Sequence, residues 1–493
     1  MTVRKKRPAR LGLGSFVPQD LGRPRGRMEG LEGSMSSRLI DTERPLYKAR
    51  RPINNISIGK IRSKSARLAA VPVFALLAAA CAEDKPLNTF EPRGEKARDI
   101  DALMAWIWPI MGVIFVLVVG GAILLSIKNR VKAEDLDPDD LPAQTHGNTP
   151  LELAWTIAPA ILLAVITVPM VQGIWNLEER NEPGELDVMV IGQQWWWEYR
   201  YDVDGDGFFI DANGDGVANQ DLTGDDAQLD LDILLDPDDI VTANELVIPA
   251  DQQVDLILTS RDVIHSFWIP RLNGKRDTVP GRWHTWSVSA DEPGKYTGWC
   301  TEFCGLSHAR MRMSAIALDE DDWQTWWDSQ SAPAEVPTDE DAVAGRELYV
   351  ANCQRCHIIS DTEFEYDEDY NASVALVSRV APNLTHFASR TTFAGGIYSV
   401  YAGGPGNATD PNDDALPASD YVNLSELSAD PTTPDDYRLN AAELKRWIAN
   451  APERKAMAPE PSPDTGLGRG MPAFPDLSDE QLDQLVAYLA TLE

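Results

Sequence analysis

The chain is poor in cysteine and histidine, which limits how it can be cross-linked and how it can hold metals. It has five cysteines and six histidines in 493 residues. The number of cysteines is odd and four of them form two close pairs, whereas a disulfide framework usually has an even number of scattered cysteines. The pattern therefore favours metal ligands or cofactor attachment points over structural disulfides.

Basic residues are also scarce outside the start of the chain. Lys and Arg number 44 against 77 Asp and Glu, and residues 1–67 hold 17 of the basic and only 5 of the acidic residues. A body this acidic argues against nucleic-acid binding and favours a cationic partner, such as a basic electron carrier. Surface solubility or adaptation to salt would give the same charge balance, so both interpretations stay open.

The first 81 residues predict an export signal. Residues 1–59 are basic without a hydrophobic period, which indicates a disordered extension or a start codon set too far upstream. Residues 60–81 have a basic start, an apolar stretch at 68–80 that is too short to span a bilayer, and then Cys81. This ending is typical of a lipoprotein cleavage site, at which Cys81 would be lipidated. Plain signal cleavage, with Cys81 incidental, is the alternative.

Two long uncharged segments follow, within a predicted membrane hairpin at 82–180. Residues 102–127 and 153–177 each exceed the roughly 20 residues that cross a hydrocarbon core. The loop between them begins with basic residues, so the positive-inside rule places it in the cytoplasm and everything after residue 178 outside. Buried helices of a soluble core are the alternative for such segments.

The remaining sequence divides by its periodicity. Residues 181–328 contain short apolar runs separated by Pro, Gly and Asp, which predicts a β sandwich or barrel with an acidic insertion at 202–230. Residues 329–340 form a polar linker. Residues 341–493 carry apolar stripes at helical spacing. The chain is thus predicted to be a multidomain membrane protein with a two-helix transmembrane hairpin, an all-β domain and an all-α domain.

Soft metal ligands cluster between residues 300 and 311. Two cysteines four residues apart can share two metal ions between their thiolates, and two histidines can each complete one ion. Thiolates, imidazoles and a thioether form a soft set that suits copper. We therefore predict a dinuclear copper centre, with a methionine sulfur and one backbone carbonyl as weak axial ligands. The candidate ligands are His265, Cys300, Glu302 through its carbonyl, Cys304, His308 and Met311.

Two other interpretations of this cluster explain less of it. A disulfide between the cysteines would leave Glu302, His308 and Met311 without a role. A mononuclear zinc site would have little use for a methionine. A dinuclear copper site uses the whole set. Sharing one electron between two ions keeps the change in geometry on oxidation or reduction small, which suits fast electron transfer.

A second motif predicts a covalent haem. Cys353, Cys356 and His357 have the spacing of c-type haem attachment, in which the thiols bond to the haem vinyl groups and the histidine ligates iron. A methionine opposite the histidine suits electron transfer, and Met471, in a Gly-Met-Pro turn, is the predicted sixth ligand. Met457 is the second choice. Zinc knuckles and redox pairs share the cysteine spacing, but the flanking helical segments favour haem.

Residues 100–320 resemble subunit II of haem-copper oxidases. The resemblance rests on the copper-ligand set, on the Trp-rich segment 192–197 and on the Lys-Arg-Asp-Thr-Val-Pro-Gly-Arg stretch. With the C-terminal haem motif it extends to cytochrome c oxidases of the caa type, whose subunit II carries a fused cytochrome c domain. It implies a cupredoxin-like β domain, Trp195 as the residue that accepts electrons, and Asp277 and Arg282 facing subunit I.

The resemblance also implies partners and further ions. The Glu302 carboxylate would help to hold a magnesium ion shared with subunit I, and Glu152 would mark the mouth of a proton channel, although an ordinary solvated acid is the alternative. The implied function is electron transfer from the fused haem through copper to haem in subunit I, for oxygen reduction coupled to proton pumping. The implied partners are subunits I and III and, as donor, cytochrome c or the quinol-cytochrome c reductase complex, at a bacterial plasma membrane.

Three other functions share parts of this pattern. The electron-accepting subunit of a copper-containing nitric oxide reductase would have the same ligands, because the distinguishing residues lie in its partner. A copper-delivery protein would need only a mobile site with one or two thiolates. A quinol-oxidase subunit would lack the copper ligands.

An acidic repeat interrupts the predicted β domain. A DxDxDG unit and a DxNxDG unit follow each other at nine residues. Oxygen side chains at alternate positions around a glycine turn suit calcium, although the final glutamate of an EF-hand is missing. A solvated acidic loop is the alternative. The candidate calcium ligands are Asp202, Asp204, Asp206, Asp211, Asn213 and Asp215.

Overall fold

The computed structural model describes seven stretches of the chain, residues 87–130, 147–177, 186–203, 240–360, 381–401, 438–459 and 468–493. The predicted leader with Cys81 lies outside the described residues. Asp202 is described and half-buried. The other candidate calcium ligands also lie outside, namely Asp204, Asp206, Asp211, Asn213 and Asp215. Lipidation and calcium binding therefore stay predictions.

Two long helices form the hairpin that the sequence predicts. Helix α1 spans Glu95–Lys128 and helix α2 spans Thr149–Leu177. Their most apolar 18-residue windows have mean hydropathies of 2.8 and 2.1, and no residue in those windows is buried. Apolar surface of this length and exposure fits a membrane rather than a protein core, which confirms the predicted hairpin.

The hairpin is tied to the rest of the protein at the start of α1. A Cβ atom at Gly94 would lie only 2.2 Å from the Ser289 carbonyl oxygen, so this close approach requires glycine. The Arg93 amide donates to the Arg271 carbonyl over 2.7 Å. These contacts fix the point at which the membrane helices meet the β domain.

Ten strands in the described residues build the β domain: β1 (Asp187–Gln193), β2 (Trp196–Tyr201), β3 (Ile240–Ala243), β4 (Glu245–Pro249), β5 (Gln253–Ser260), β6 (His265–Phe267), β7 (Arg276–Thr278), β8 (His284–Ser289), β9 (Gly294–Trp299) and β10 (Arg312–Leu318). A five-stranded sheet has the order β3-β2-β1-β5-β8, and a three-stranded sheet has the order β4-β10-β9. Strand β1 runs parallel to β5 and β10 parallel to β4, while their remaining neighbours are antiparallel. Strands β6 and β7 pair with each other.

Both faces of the larger sheet are buried. Successive side chains of a strand point to opposite faces, and in β1 Val188 and Val190 belong to the main core while Met189 and Ile191 pack with Ile257 in a second cluster. Burial on both faces explains why β1 reads as a continuous apolar run instead of an alternating one.

Helix α3 (Glu320–Gln330) closes the β domain. Its N-cap is Asp319, whose side chain accepts from the Asp322 amide over 3.0 Å. The Trp326 ring packs edge-on against the Tyr201 ring, with 5.2 Å between their centroids. The helix runs past the predicted boundary at residue 328, and the predicted domain limits stay predictions.

The C-terminal domain is mainly helical, with α4 (Glu340–Asn352), α5 (Ala441–Ala449), α6 (Ala451–Arg454) and α7 (Asp479–Leu489). Helices α4 and α7 touch closely, since a Cβ atom at Gly345 would lie 2.0 Å from the Gln484 carbonyl oxygen. A short hairpin of β11 (Thr392–Phe393) and β12 (Tyr398–Ser399) was not predicted. Strands of two residues are too short to give a period in the sequence.

Candidate metal centre and haem site

Five of the six candidate copper ligands lie in one loop of the β domain. Residues 300–311 connect the antiparallel strands β9 and β10. The Cys300 amide donates to the Met311 carbonyl over 3.0 Å and closes the loop at its base. The Thr301 amide donates to the Ser266 carbonyl over 3.1 Å, which joins the loop to β6, the strand that carries the sixth ligand.

The two cysteines and two histidines converge. The Sγ atoms of Cys300 and Cys304 are 3.8 Å apart, far longer than the about 2.05 Å of a disulfide, and both are free thiols. Cys300 Sγ lies 3.9 Å from His265 Nδ1, and Cys304 Sγ lies 3.6 Å from His308 Nδ1. The disulfide interpretation does not fit this arrangement, in which each thiol has its own imidazole.

Each of the two weaker donors lies beside a different thiol. The Glu302 carbonyl oxygen is 3.2 Å from Cys300 Sγ, while Met311 Sδ is 3.7 Å from Cys304 Sγ. Met311 is 1% exposed, whereas the side chain of Glu302 points to solvent. The six predicted ligands thus form two similar groups of one thiol, one imidazole and one weak donor.

The thiol pair shares its protons unequally. A hydrogen bond from Cys304 lowers the pKa of Cys300 to about 4, and His265 contributes to this shift, whereas the same bond and burial raise the pKa of Cys304. Metals bind the thiolate form of cysteine. A set of two thiols, two imidazoles and a thioether, buried except for the half-buried His308, fits copper, and one thiol is already biased toward the thiolate.

Asp262 is a candidate positioning residue that the sequence did not reveal. Its Oδ1 atom lies 2.9 Å from His265 Nε2, which leaves His265 Nδ1 for the metal side. Burial lowers the pKa of His265, but the hydrogen bonds to Asp262 and Cys300 raise it by more. Carboxylates in this position orient a ligating histidine. The only signal in the sequence is that Asp262 precedes His265 by three residues.

Trp195 lies directly against the ligand loop. Its Nε1 donates to the Cys304 carbonyl over 3.0 Å, and Gln194 Nε2 donates to the same carbonyl over 2.6 Å. Trp195 is only 4% exposed, and its own carbonyl accepts a hydrogen bond from Lys455 Nζ in the C-terminal domain. The position beside the ligands agrees with the resemblance, but the residue is covered, and its role in accepting electrons stays a prediction.

Three other residues that the resemblance implied lie outside the ligand cluster. Glu152 is exposed in the first turn of α2, where it accepts from the Asn148 amide over 3.0 Å. Asp277 in β7 and Arg282 in the following turn are also exposed. All three are accessible to a partner subunit, and their roles stay predictions.

The haem motif forms a tight turn after α4. The amides of Cys356 and His357 donate to the Cys353 carbonyl over 2.9 and 3.0 Å. His357 Nδ1 donates to the Pro382 carbonyl over 2.8 Å, which leaves Nε2 free to ligate iron. Burial lowers the pKa of His357 to about 4, so the imidazole is neutral, as a ligand must be. The two thiols and the oriented imidazole fit haem c.

The two candidate methionines lie on neighbouring segments. Ala458 pairs with Arg469 in an isolated bridge. A Cβ atom at Gly470 would lie 2.3 Å from Met457 Sδ. Met457 therefore packs directly against the segment that carries Met471. Met471 stays our predicted sixth ligand.

Comparison with protein families gives three matches that together cover most of the described chain. Residues 93–172 match the family described as cytochrome c oxidase subunit II, transmembrane domain, and residues 186–318 match its periplasmic domain. Residues 342–493 match the cytochrome c family. The match to the periplasmic domain implies copper, and the match to the cytochrome c family implies haem c.

Curated relatives that share one name match between 38% and 88% of this chain. Cytochrome c oxidase subunit 2 of Alkalihalophilus pseudofirmus is 28% identical over 440 residues, which cover 88% of this chain and 99% of the relative. The Bacillus subtilis protein of the same name is 29% identical, covering 66% of this chain and 83% of the relative. That of Mycosarcoma maydis is 36% identical over 188 residues, covering 38% of this chain and 69% of the relative.

Proposed function

We propose the following role for this chain, which belongs to the cytochrome c oxidase subunit II family and carries a C-terminal cytochrome c domain. The chain collects electrons from an external donor and delivers them to subunit I of a membrane-bound haem-copper oxidase, where oxygen reduction is coupled to proton pumping. The convergence of four further donors on the thiols of two cysteines supports this role most strongly.

The copper domain, defined as residues 186–318, would hold a dinuclear copper centre. Cys300, Cys304, His265 and His308 would hold the two ions, because each imidazole lies beside its own thiol. A dinuclear copper centre and haem c each accept and release single electrons when bound. The protein supplies buried thiols and a carboxylate, Asp262, that holds His265 in one tautomer.

The cytochrome domain, defined as residues 342–493, would hold one covalent haem c. The thiols of Cys353 and Cys356 would attach it, His357 would ligate the iron through Nε2, and Met471 would complete the coordination. The hydrogen bond from His357 Nδ1 to Pro382 orients the ring before iron binds.

We assign the remaining roles from the family and from exposure. The exposed Glu302 carboxylate would contribute to a magnesium ion shared with subunit I, and the exposed Glu152 would lie at the mouth of a proton channel. The copper and cytochrome domains would face the outside of a bacterial plasma membrane, with subunits I and III as partners. The formal net charge of -33 favours a basic cytochrome c or a reductase complex as donor.

A reciprocal pair of substitutions in the full oxidase tests this assignment. Cys300→Ser should abolish the electron paramagnetic resonance signal of one electron shared by two copper nuclei, while the optical spectrum of haem c persists. Cys356→Ser should weaken or remove covalent haem and leave the copper signal in place. Both variants should lose turnover with an external donor, since both centres lie on the route. A Cys300→Ser oxidase with wild-type turnover would overturn the proposal.

A further inference from the structure

A buried carboxylate of the copper domain is satisfied by the cytochrome domain. Glu245, in β4, is 4% exposed. Its carboxylate accepts from the Thr391 amide over 3.0 Å, from the Thr391 hydroxyl, and from the Thr392 hydroxyl over 2.6 Å. Burying a carboxylate is unfavourable unless hydrogen bonds replace its water. The three donors therefore make this contact strongly dependent on the fit between the two domains.

A buried lysine makes the reverse contact. Lys455 of the cytochrome domain is 4% exposed, and its Nζ donates to the Trp195 carbonyl over 2.7 Å and to the Ala394 carbonyl over 2.9 Å. A Cβ atom at Gly395 would lie 2.6 Å from the Trp195 carbonyl oxygen and 2.3 Å from Lys455 Nζ. The left-handed φ of +79° at Gly395 and this close approach both require glycine.

The segment around Lys455 also rests on the metal-ligand loop. The Ser307 hydroxyl donates to the Ala456 carbonyl over 2.6 Å, and Arg310 Nη1 donates to the Arg454 carbonyl over 2.6 Å. The next residue along, Met457, packs against the segment of the predicted sixth haem ligand. One short segment thus contacts both the copper-ligand loop and the candidate haem-ligand segment.

We propose that Glu245 and Lys455 are positioning residues that lock the cytochrome domain over Trp195. The cytochrome domain then covers Trp195, which is only 4% exposed. This inference rests on the proposed function for its purpose, which is to hold the donor haem at a fixed place beside the copper site.

The contact differs in kind from the docking of a soluble carrier. Docking by complementary surface charge weakens with salt, because exposed charges are screened. Glu245 and Lys455 are buried and are paired with hydroxyls, amides and carbonyls, which salt screens much less. We therefore expect the two domains to stay together at high ionic strength.

Two backbone amides report directly on this contact. The Thr391 amide donates to Glu245, and the Arg312 amide of the copper domain donates to the Gly395 carbonyl over 3.1 Å. Each bond crosses between the domains. Hydrogen exchange of the intact oxidase at these two amides therefore measures separation of the domains.

Two further amides serve as folding controls. The Val400 amide donates to the Thr391 carbonyl over 2.9 Å inside the cytochrome domain, and the Ser314 amide donates to the Asn244 carbonyl over 3.0 Å inside the copper domain. These bonds should stay protected when the domains separate without unfolding.

The test substitutions remove charge and keep size. In Lys455→Met and in Glu245→Gln, exchange at Thr391 and Arg312 should be faster by about tenfold or more, while Val400 and Ser314 stay protected. Lys455→Met loses two hydrogen bonds across the contact, and Glu245→Gln replaces a carboxylate acceptor with a weaker amide. Electron transfer from haem c to copper, started by a light flash and followed by optical absorbance, should be slower in the same variants. Two control variants make the same charge changes away from the contact. Lys445→Met breaks an ion pair with Asp483, and Glu320→Gln lies at the exposed start of α3. Both should leave exchange at Thr391 and Arg312 unchanged.

Wild-type exchange at Thr391 and Arg312 in both test variants, with Val400 protected, would overturn the positioning role. If a variant also exchanges faster at Val400, its cytochrome domain has unfolded and the variant no longer tests the contact. Hydrogen exchange of the wild-type oxidase at increasing salt concentration then tests the proposal. Constant protection at Thr391 from low to high salt supports the buried contact, and protection that is lost with salt contradicts it. A wild-type oxidase without the copper signal, but with Thr391 protected, would overturn the proposed function and leave the domain contact standing.

Discussion

The candidate copper site and the candidate haem site differ in how close together the protein holds their ligands. At the copper site, neighbouring donor atoms lie 3.2–3.9 Å apart. At the haem site, one short turn after α4 supplies the two thiols and one imidazole, and the predicted sixth ligand comes from a segment more than a hundred residues later. The first site is a compact cluster, whereas the second is a turn and a distant side chain.

The size of the bound group explains this difference. Ligands of a metal pair must lie in contact with one another, so they can be held by one loop and one neighbouring strand. Haem has a wide ring with axial ligands on opposite faces, so its ligands come from separate elements. The copper ligands are therefore fixed by local chain geometry, while the sixth haem ligand depends on how distant segments pack.

The largest effect is expected at the haem site, whose predicted sixth ligand comes from a distant segment. Replacing Met471 with Leu should remove the methionine sulfur from haem iron and lower the midpoint potential by roughly a hundred millivolts, a fraction of the ~0.8 V that axial ligands span. Redox titration of haem c in the full oxidase measures this shift.

Met457→Leu is the matched control for that change. It removes the same sulfur from the neighbouring segment and should leave the potential near the wild-type value. The opposite result, a large shift in Met457→Leu and none in Met471→Leu, would exchange the two assignments.

A smaller effect is expected from a substitution beside the copper site, whose ligands already lie close together. Asp262→Asn replaces the carboxylate beside His265 Nε2 and should weaken copper binding by about 10- to 100-fold, as measured by competition with a chelator. Asp321→Asn, at an exposed position in the first turn of α3, should have no effect. Unchanged copper affinity in Asp262→Asn would mean that the loop alone orders His265.

The smallest effect concerns the stability of the cytochrome domain at low pH. Burial, with a contribution from Arg390, lowers the pKa of His386, whose Nδ1 donates to the Glu493 backbone oxygen. The unfolded chain then takes up a proton near pH 6.5 while the folded domain does not, so stability falls as the pH drops from about 6.5 toward the lower folded pKa.

Urea unfolding of the oxidase, followed by the haem c spectrum over this pH range, measures that loss. His386→Gln should flatten the pH dependence and leave stability near pH 8 lower by only a small amount. A pH dependence equal to that of the wild type would assign the effect to another group.

The sequence predicts features that depend on nearby residues. The two membrane helices are visible as uncharged runs, and the copper ligands are visible because five of them fall within residues 300–311. The haem motif is equally local. These patterns need no knowledge of how distant segments meet.

The contacts between the copper and cytochrome domains, which the sequence did not predict, join distant segments. Lys455 and Trp195 are 260 residues apart along the chain, and Glu245 and Thr391 are 146 apart. Nothing in the local pattern marks these residues, since a lysine and a glutamate are ordinarily exposed. The covering of Trp195 follows from the same long-range contacts.

The most direct test of this account is the electron paramagnetic resonance spectrum of the intact wild-type oxidase, recorded with its haem c optical spectrum. We expect the hyperfine pattern of one electron shared by two copper nuclei, together with a low-spin haem c. A mononuclear copper signal, or no copper signal beside an intact haem c, would contradict the assignment of His265, Cys300, Cys304 and His308 to a dinuclear centre.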